Sequence, residues 1–340
     1  MSDHARVKRV LAAIATIGVA VVALAGPAAA DPAKPGDFTS RVTSVEPGVE
    51  GVTIEVAGGD GFLDVQVQRG HTAIVYGYEQ SGTPTEYLQF LADGTVQRNR
   101  NSPATYINDS RYGLIQPPED LPAEPDWQTV ATDGQFAWHD HRIHWMSPDA
   151  PPGHERGDVI YDDWQVPMQV DGTDVVVHGQ LVWEKGTPSV LWFGLVVVVA
   201  AGLAVLAGMK RLVVVGAGLL AGAVAAVVVA AVTYVSIPPD AGRSIVSIII
   251  PALGVVAAVV TLLKRDVPLG AIAGLASVAL LAGWGVLRID VLTKPVLPTH
   301  LPFVVDRLGT ILALGAAIAG AVVIVMSGQL RLPELSDDED

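Results

Sequence analysis

The chain has 340 residues, half of them hydrophobic, with a net charge of −14 and no cysteine. An acidic surface disfavours nucleic acid, which needs Lys and Arg to displace its counterions, and it offers little to anionic lipid headgroups. Without cysteine there is no disulfide, no thiolate metal site and no thiol nucleophile, so a metal would have to use His, carboxylate, Met or backbone oxygen.

The first 30 residues have the order of a signal peptide. Arg6, Lys8 and Arg9 precede an apolar run over 11–26. Pro27 ends that run, and Ala28, Ala29 and Ala30 give a small-residue cleavage site before Asp31. The run is shorter than the ~20 residues that a membrane span needs, which favours cleavage over an uncleaved anchor. Either way, the residues after Asp31 are expected outside the cytoplasm.

Residues 31–186 are enough for one core and carry no helix-period apolar pattern of useful length. Val52, Ile54 and Val56 alternate with polar neighbours, as do Leu63, Val65 and Val67. This is the period of half-buried strands. A third run covers 71–78. Asp93-Gly94 separates strands at 87–91 and 95–98, and Asp171-Gly172 separates 165–170 from 175–183. Both dipeptides are hairpin signals. The expectation is an all-β domain of seven or more strands, an Ig-like antiparallel sandwich in the loose sense. Trp127, Trp138, Tyr106 and Tyr112 are expected to fill its core, with a ligand groove as the alternative.

The segment most suggestive of chemistry is Ala137-Trp138-His139-Asp140-His141-Arg142-Ile143-His144-Trp145-Met146, which holds three of the eight histidines. On a strand, His139 and His141 would share a face and could offer two imidazoles to copper or zinc, with His144 joining through a bend. His71, His154, His178 and Met146 are further candidate ligands. Asp140 and Asp133 are candidate acceptors that would fix a ring tautomer. The alternative is a buried structural network, in which Arg142 puts a positive charge where a cation would sit. No nucleophile elbow, phosphate-binding Gly loop or His-Glu-x-x-His helix is present. A Ser110–His141–Asp140 triad can be drawn, but nothing in the sequence supports its geometry.

Five apolar runs follow, at about 190–209, 212–236, 245–263, 268–287 and 303–326, each close to a bilayer core in length. They define a membrane domain over 187–328, followed by an acidic tail over 329–340. Lys210-Arg211 and Lys264-Arg265 are expected in the cytoplasm by the positive-inside rule, which agrees with an outer β-domain and a cytoplasmic C-terminus in the plasma membrane. No ionisable residue sits mid-span, which argues against a proton-coupled pump. Gly218/Gly222 and Gly270/Gly274 have the spacing for close helix approach, Gly315/Gly320 adds further small residues, and a tightly packed bundle is expected, with a homodimer face as the sharper alternative. Arg288, Asp290, Lys294 and His300, between the last two spans, are read as a solvated rim, with contact to the β-domain from below as the alternative.

The runs Glu86-Tyr87-Leu88-Gln89-Phe90, Asp93-Gly94-Thr95-Val96 and Ser102-Pro103-Ala104-Thr105-Tyr106, together with 137–146, resemble a group of actinobacterial envelope membrane proteins. The resemblance covers nearly the whole chain. It implies a cell-envelope location and carries no activity. A fainter, architectural likeness links the chain to periplasmic copper-handling domains of the CopC type. Those domains use a histidine at the mature N-terminus, whereas the start expected here is Asp31-Pro32-Ala33. Two readings follow. One is a membrane-anchored envelope protein that binds copper or zinc through His139, His141 and His144. The other is a non-catalytic interaction or assembly protein, with an envelope protein or a second copy as partner, whose histidines are structural.

Overall fold

The computed structural model describes residues 32–80, 83–210 and 212–326. The predicted signal peptide and acidic tail lie outside the described residues.

Ten strands form two antiparallel sheets. The larger has the order β1 (Phe38–Glu46), β10 (Thr173–Trp183), β9 (Val159–Val170), β4 (Ala73–Gln80), β5 (Thr83–Phe90), β6 (Val96–Asn99), β7 (Trp127–Ala131). The smaller has the order β2 (Val52–Ala57), β3 (Phe62–Val67), β8 (Gln135–Trp138). Alternation explains the core they share. Leu63, Val65 and Val67 of the small sheet and Val166, Met168 and Val170 of the large one all point inward and are buried together. The seven-plus-three division departs from the four-plus-three of a constant-type Ig domain. The Asp171-Gly172 turn has φ of 47° and 79°, the left-handed pair that a two-residue hairpin requires. Gly179 lets the Trp164 ring lie directly across β10, where the indole Nε1–H donates to Ser40 Oγ at 2.9 Å. A short helix, α1 (Pro103–Ile107), joins the sheet at β4 and β5.

Five helices follow: α2 (Ser189–Lys210), α3 (Leu212–Ser236), α4 (Val246–Leu263), α5 (Pro268–Leu287) and α6 (Phe303–Met326). All five are long and apolar enough to cross a membrane. Helix α6 is central, with 61% of its apolar window buried, and α2 is peripheral at 17%. Glycines set the crossings. A Cβ on Gly222 would lie 3.2 Å from the Ala313 backbone of α6, and one on Gly274 would meet Ile324 at 2.7 Å. Gly315 faces Val199, and Gly320 faces Val278. These glycines are used for packing within the chain. Gly270 differs: it packs on the Lys264 backbone in the α4–α5 turn.

The expected solvated rim is instead a docking platform. Lys294 Nζ donates to Asp37 Oδ2 at 2.6 Å, and Arg156 Nη1 to Asp37 Oδ1 at 3.1 Å. Gly36 and Val296 exchange two backbone hydrogen bonds, 2.9 and 3.1 Å long. Ala33 N–H donates to Ala241 O in the α3–α4 connector. Phe62 and Ala137 of the small sheet pack against Ile237 and Ala241. From the bundle side, Arg288 Nη2 contacts both oxygens of buried Asp306 at 2.7 and 2.9 Å. Arg307 donates to the carbonyls of Val291, Lys294 and Pro295. A solvated rim would leave these charges to water. Here they hold the 288–302 connector in the shape that meets the β-domain.

Candidate functional site

The histidine segment is not a strand. Strand β8 ends at Trp138, and Asp140 turns the chain. Its Oδ1 accepts the Arg142 backbone N–H at 3.0 Å, an Asx turn that a strand ladder cannot form, and Ile143 N–H closes on Asp140 O at 3.1 Å. His139 and His141 therefore do not project as alternate residues of one face.

Asp140 is fully buried, and all its contacts are strong. Oδ1 also accepts Arg142 Nε at 2.8 Å. Oδ2 accepts Arg142 Nη2 at 2.6 Å and Trp138 Nε1 at 2.9 Å. Burial alone would raise this carboxyl. The Arg142 charge and the three side-chain donors outweigh it and hold Asp140 below its ordinary value. Arg142 continues to Tyr76 O at 3.2 Å and lies over the Tyr78 ring at 5.0 Å. Both proposed tautomer-fixing acceptors are thus engaged elsewhere, since Asp133 Oδ1 accepts Gln135 N–H at 3.3 Å.

Each of the three histidines meets a backbone carbonyl. His139 Nδ1 lies 2.6 Å from Gly61 O, His141 Nε2 lies 2.9 Å from Ser110 O, and His144 Nδ1 lies 3.2 Å from Trp145 O. A carbonyl only accepts, so each of these nitrogens carries a proton. Phe62 stacks on His139 at 4.1 Å, and the His144 ring stands edge-on to both others, at 6.4 Å from His139 and 5.2 Å from His141. Burial first, then nearby Arg111, drives His144 down to about 3, so it is neutral. Burial likewise lowers His141.

The structure brings His139, His141 and His144 side by side but leaves the other candidate ligands elsewhere. His71 Nδ1 pairs with Asp171 and His178 Nδ1 with Asp163, both at 2.7 Å, and His154 lies 3.7 Å from Asp158. Met146 is half-buried. Among the described residues, no group of three or more His, Cys, Asp or Glu side chains is arranged to hold a metal ion. The Ser110–His141–Asp140 triad does not form: His141 meets the Ser110 carbonyl, and Ser110 Oγ accepts Leu114 N–H.

Sequence reasoning missed Tyr78, Asn108, Asp60 and Arg111. Tyr78 Oη accepts His141 N–H at 2.9 Å and donates to Asn108 Oδ1. Arg111 Nη2 pairs with buried Asp60 at 2.5 Å. The one available signal was Ser102-Pro103, which starts α1 and delivers Asn108 to Tyr78. A cavity of about 320 Å³ opens beside His139, bounded by Asp60, Arg111, Tyr112 and Trp145 and reaching the Asp37–Lys294 pair. Tyr112 is 40% exposed at its edge, whereas Trp138 is in the core as expected.

The fold and site define an antiparallel β-domain docked on a bundle of five membrane-type helices. No family model, curated protein or solved structure matches this chain.

Proposed function

We propose that the protein is a membrane-anchored cell-envelope protein whose β-domain serves binding and assembly, with the 139–144 turn as a structural strut of that domain. In this reading the β-domain lies outside the cytoplasm and the C-terminus inside. The support for that orientation is the positive charge of Lys264-Arg265 and Lys210, at the ends of helices away from the β-domain. The partner is an envelope component or a second copy of the chain.

The observation that carries the structural reading is the closure of the Asp140 network. A buried carboxylate with four protein donors, two of them from one guanidinium fork, has no lone pair to spare for orienting a ligand histidine. Severing such a buried pair is costly, so the turn holds β8 to β4 and α1.

One atom favours a second reading. His144 Nε2 is buried and has no hydrogen-bond partner, and a neutral imidazole nitrogen of that kind is what copper or zinc would take. The full chain, purified in detergent, is loaded with copper or zinc, desalted and analysed for metal, beside a His139→Ala/His144→Ala variant. The structural reading predicts no retained metal and a lowered melting temperature in the variant. About one metal per chain, lost from a variant that stays folded, would replace it with the metal-binding reading.

A further inference from the structure

The outer face of the small sheet carries a charge arrangement that folding alone does not explain. Phe62 of this face packs on the α3–α4 connector. Beside it lies a crevice of about 640 Å³ between the sheet and the membrane-side loops. Glu55, Asp64 and Gln135 line one side, and Arg243, His300 and Phe303 line the other.

Asp64 stands directly opposite Glu55 across the β2–β3 ladder. Like charges at that position repel each other. Gln135 Nε2 satisfies Asp64 Oδ2 at 2.8 Å, but Asp64 Oδ1 is buried without a hydrogen-bond partner. Among the described residues, neither carboxylate has a salt bridge to Lys or Arg. Burial, then Asp240, Glu55 and Asp133, pushes the Asp64 carboxyl up to about 6. Two facing acids on the wall of a crevice suit a cation with N–H groups to give.

The other wall supplies opposite charge at the level where the helices end. Ser236 Oγ accepts His300 N–H at 2.8 Å, which fixes the His300 loop on the C-terminus of α3. Arg243 lies over Tyr234 of the same helix at 4.8 Å. Below the crevice, the lipid-facing surface is apolar: Val235 is 67% exposed and Val304 48% exposed. An acid pair, a basic wall and an apolar skirt follow one another down the molecule.

We propose that this crevice binds one aminophospholipid, with the headgroup ammonium between Asp64 and Glu55, the phosphate at Arg243 and His300, and the acyl chains along the valines of α3 and α6. A primary ammonium gives N–H groups to the acid pair. A quaternary ammonium has none, and an anionic headgroup meets repulsion from the acid pair. The assignment is independent of what the histidine turn does.

The test is native mass spectrometry of the full chain in mild detergent, titrated with phosphatidylethanolamine, phosphatidylcholine or phosphatidylglycerol of equal chain length, and with soluble glycerophosphoethanolamine. One phosphatidylethanolamine is expected to bind in preference to the other two lipids. Glu55→Gln/Asp64→Asn should weaken it about tenfold, the loss of one charge-assisted hydrogen bond, without lowering the melting temperature. Arg243→Ala should weaken it while leaving both acids in place. Equal retention of the three lipids, or no effect of either variant, would overturn the site. Glycerophosphoethanolamine binding as tightly as the lipid would overturn the lipid assignment.

Discussion

Lys294 and Asp37 are separated by 257 residues and meet at 2.6 Å, the first in the last connector of the membrane domain and the second at the entrance to β1. Around this pair the two halves become one body. The Gly36–Val296 bridge lies one residue from Asp37. Gly59 fits under Val296 because a Cβ there would meet it at 2.6 Å, and its φ of 81° also suits glycine. Both the 320 Å³ cavity and the 640 Å³ crevice draw walls from this junction.

Lys294→Ala is expected to loosen the dock without unfolding either half. The pair is partly exposed, so the loss should be about 1 kcal/mol. Hydrogen exchange of 288–302 should accelerate in the variant while α3 and α6 stay protected. Asp37 is held below its ordinary value: burial pushes it up, but Lys294 and Arg156 outweigh that. The stability this gives is present above the unfolded carboxyl value near 3.8 and is lost as pH falls through the lower folded value. Exchange at the connector in the parent should therefore rise only below about pH 4.

Asp140→Asn should be among the most damaging single changes in the β-domain. It leaves the Arg142 guanidinium buried with half its fork unpaired, at a cost of about 3 to 5 kcal/mol. Asp140→Asn/Arg142→Met should lose less than Arg142→Met and Asp140→Asn added together, because the orphan charge is gone. Thermal unfolding of the three variants in one detergent measures this.

Asp64 has the opposite sign to Asp37. Its folded value near 6 lies above the unfolded 3.8, so the folded state holds the proton more tightly. Stability from this group is full below about pH 4 and is lost as pH rises through about 6. Solvent screening of a site about one-third open reduces the effect to about 1 kcal/mol. The parent should melt higher at pH 5 than at pH 7, and Asp64→Asn should remove that difference and melt higher than the parent at pH 7. A bound ammonium would also remove it in the parent.

Gly222→Leu should abolish the bundle. Its Cβ position lies 3.2 Å from Ala313 Cα and from Leu312 O, and a backbone cannot move aside as a side-chain tip can. Overpacking costs about 1 to 3 kcal/mol even where neighbours can shift. Loss of monodisperse protein on size exclusion, with Gly218→Leu milder because it meets only the Leu203 side chain, checks this.

What the sequence made legible was local. The Asp-Gly hairpins and the five spans follow from a dipeptide or an apolar run, and all are present. Strand β1, with the sequence FTSRVTSVE, was not read, because Ser and Thr dilute its alternation. The histidine turn was read as a strand because Asp140 can turn the backbone only with its side chain inward, and Arg142 and Trp138 are what draw it there. The docking platform is legible only as the lesser of two alternatives, for a different reason. Charges flanking a membrane helix look the same in water as against a β-domain, and the partner of Lys294 lies 257 residues away.

Gly36→Cys/Val296→Cys tests the docked junction most directly. The two residues exchange both backbone hydrogen bonds, which sets their Cα atoms about 5.5 Å apart, within disulfide reach. The natural chain has no cysteine, so any disulfide within one chain is this one. In intact membranes under mild oxidation, both thiols should disappear together in the double variant while each single variant stays fully labelled. Two thiols that remain as reactive in the double variant as in the singles would mean that the β-domain does not sit on the membrane domain.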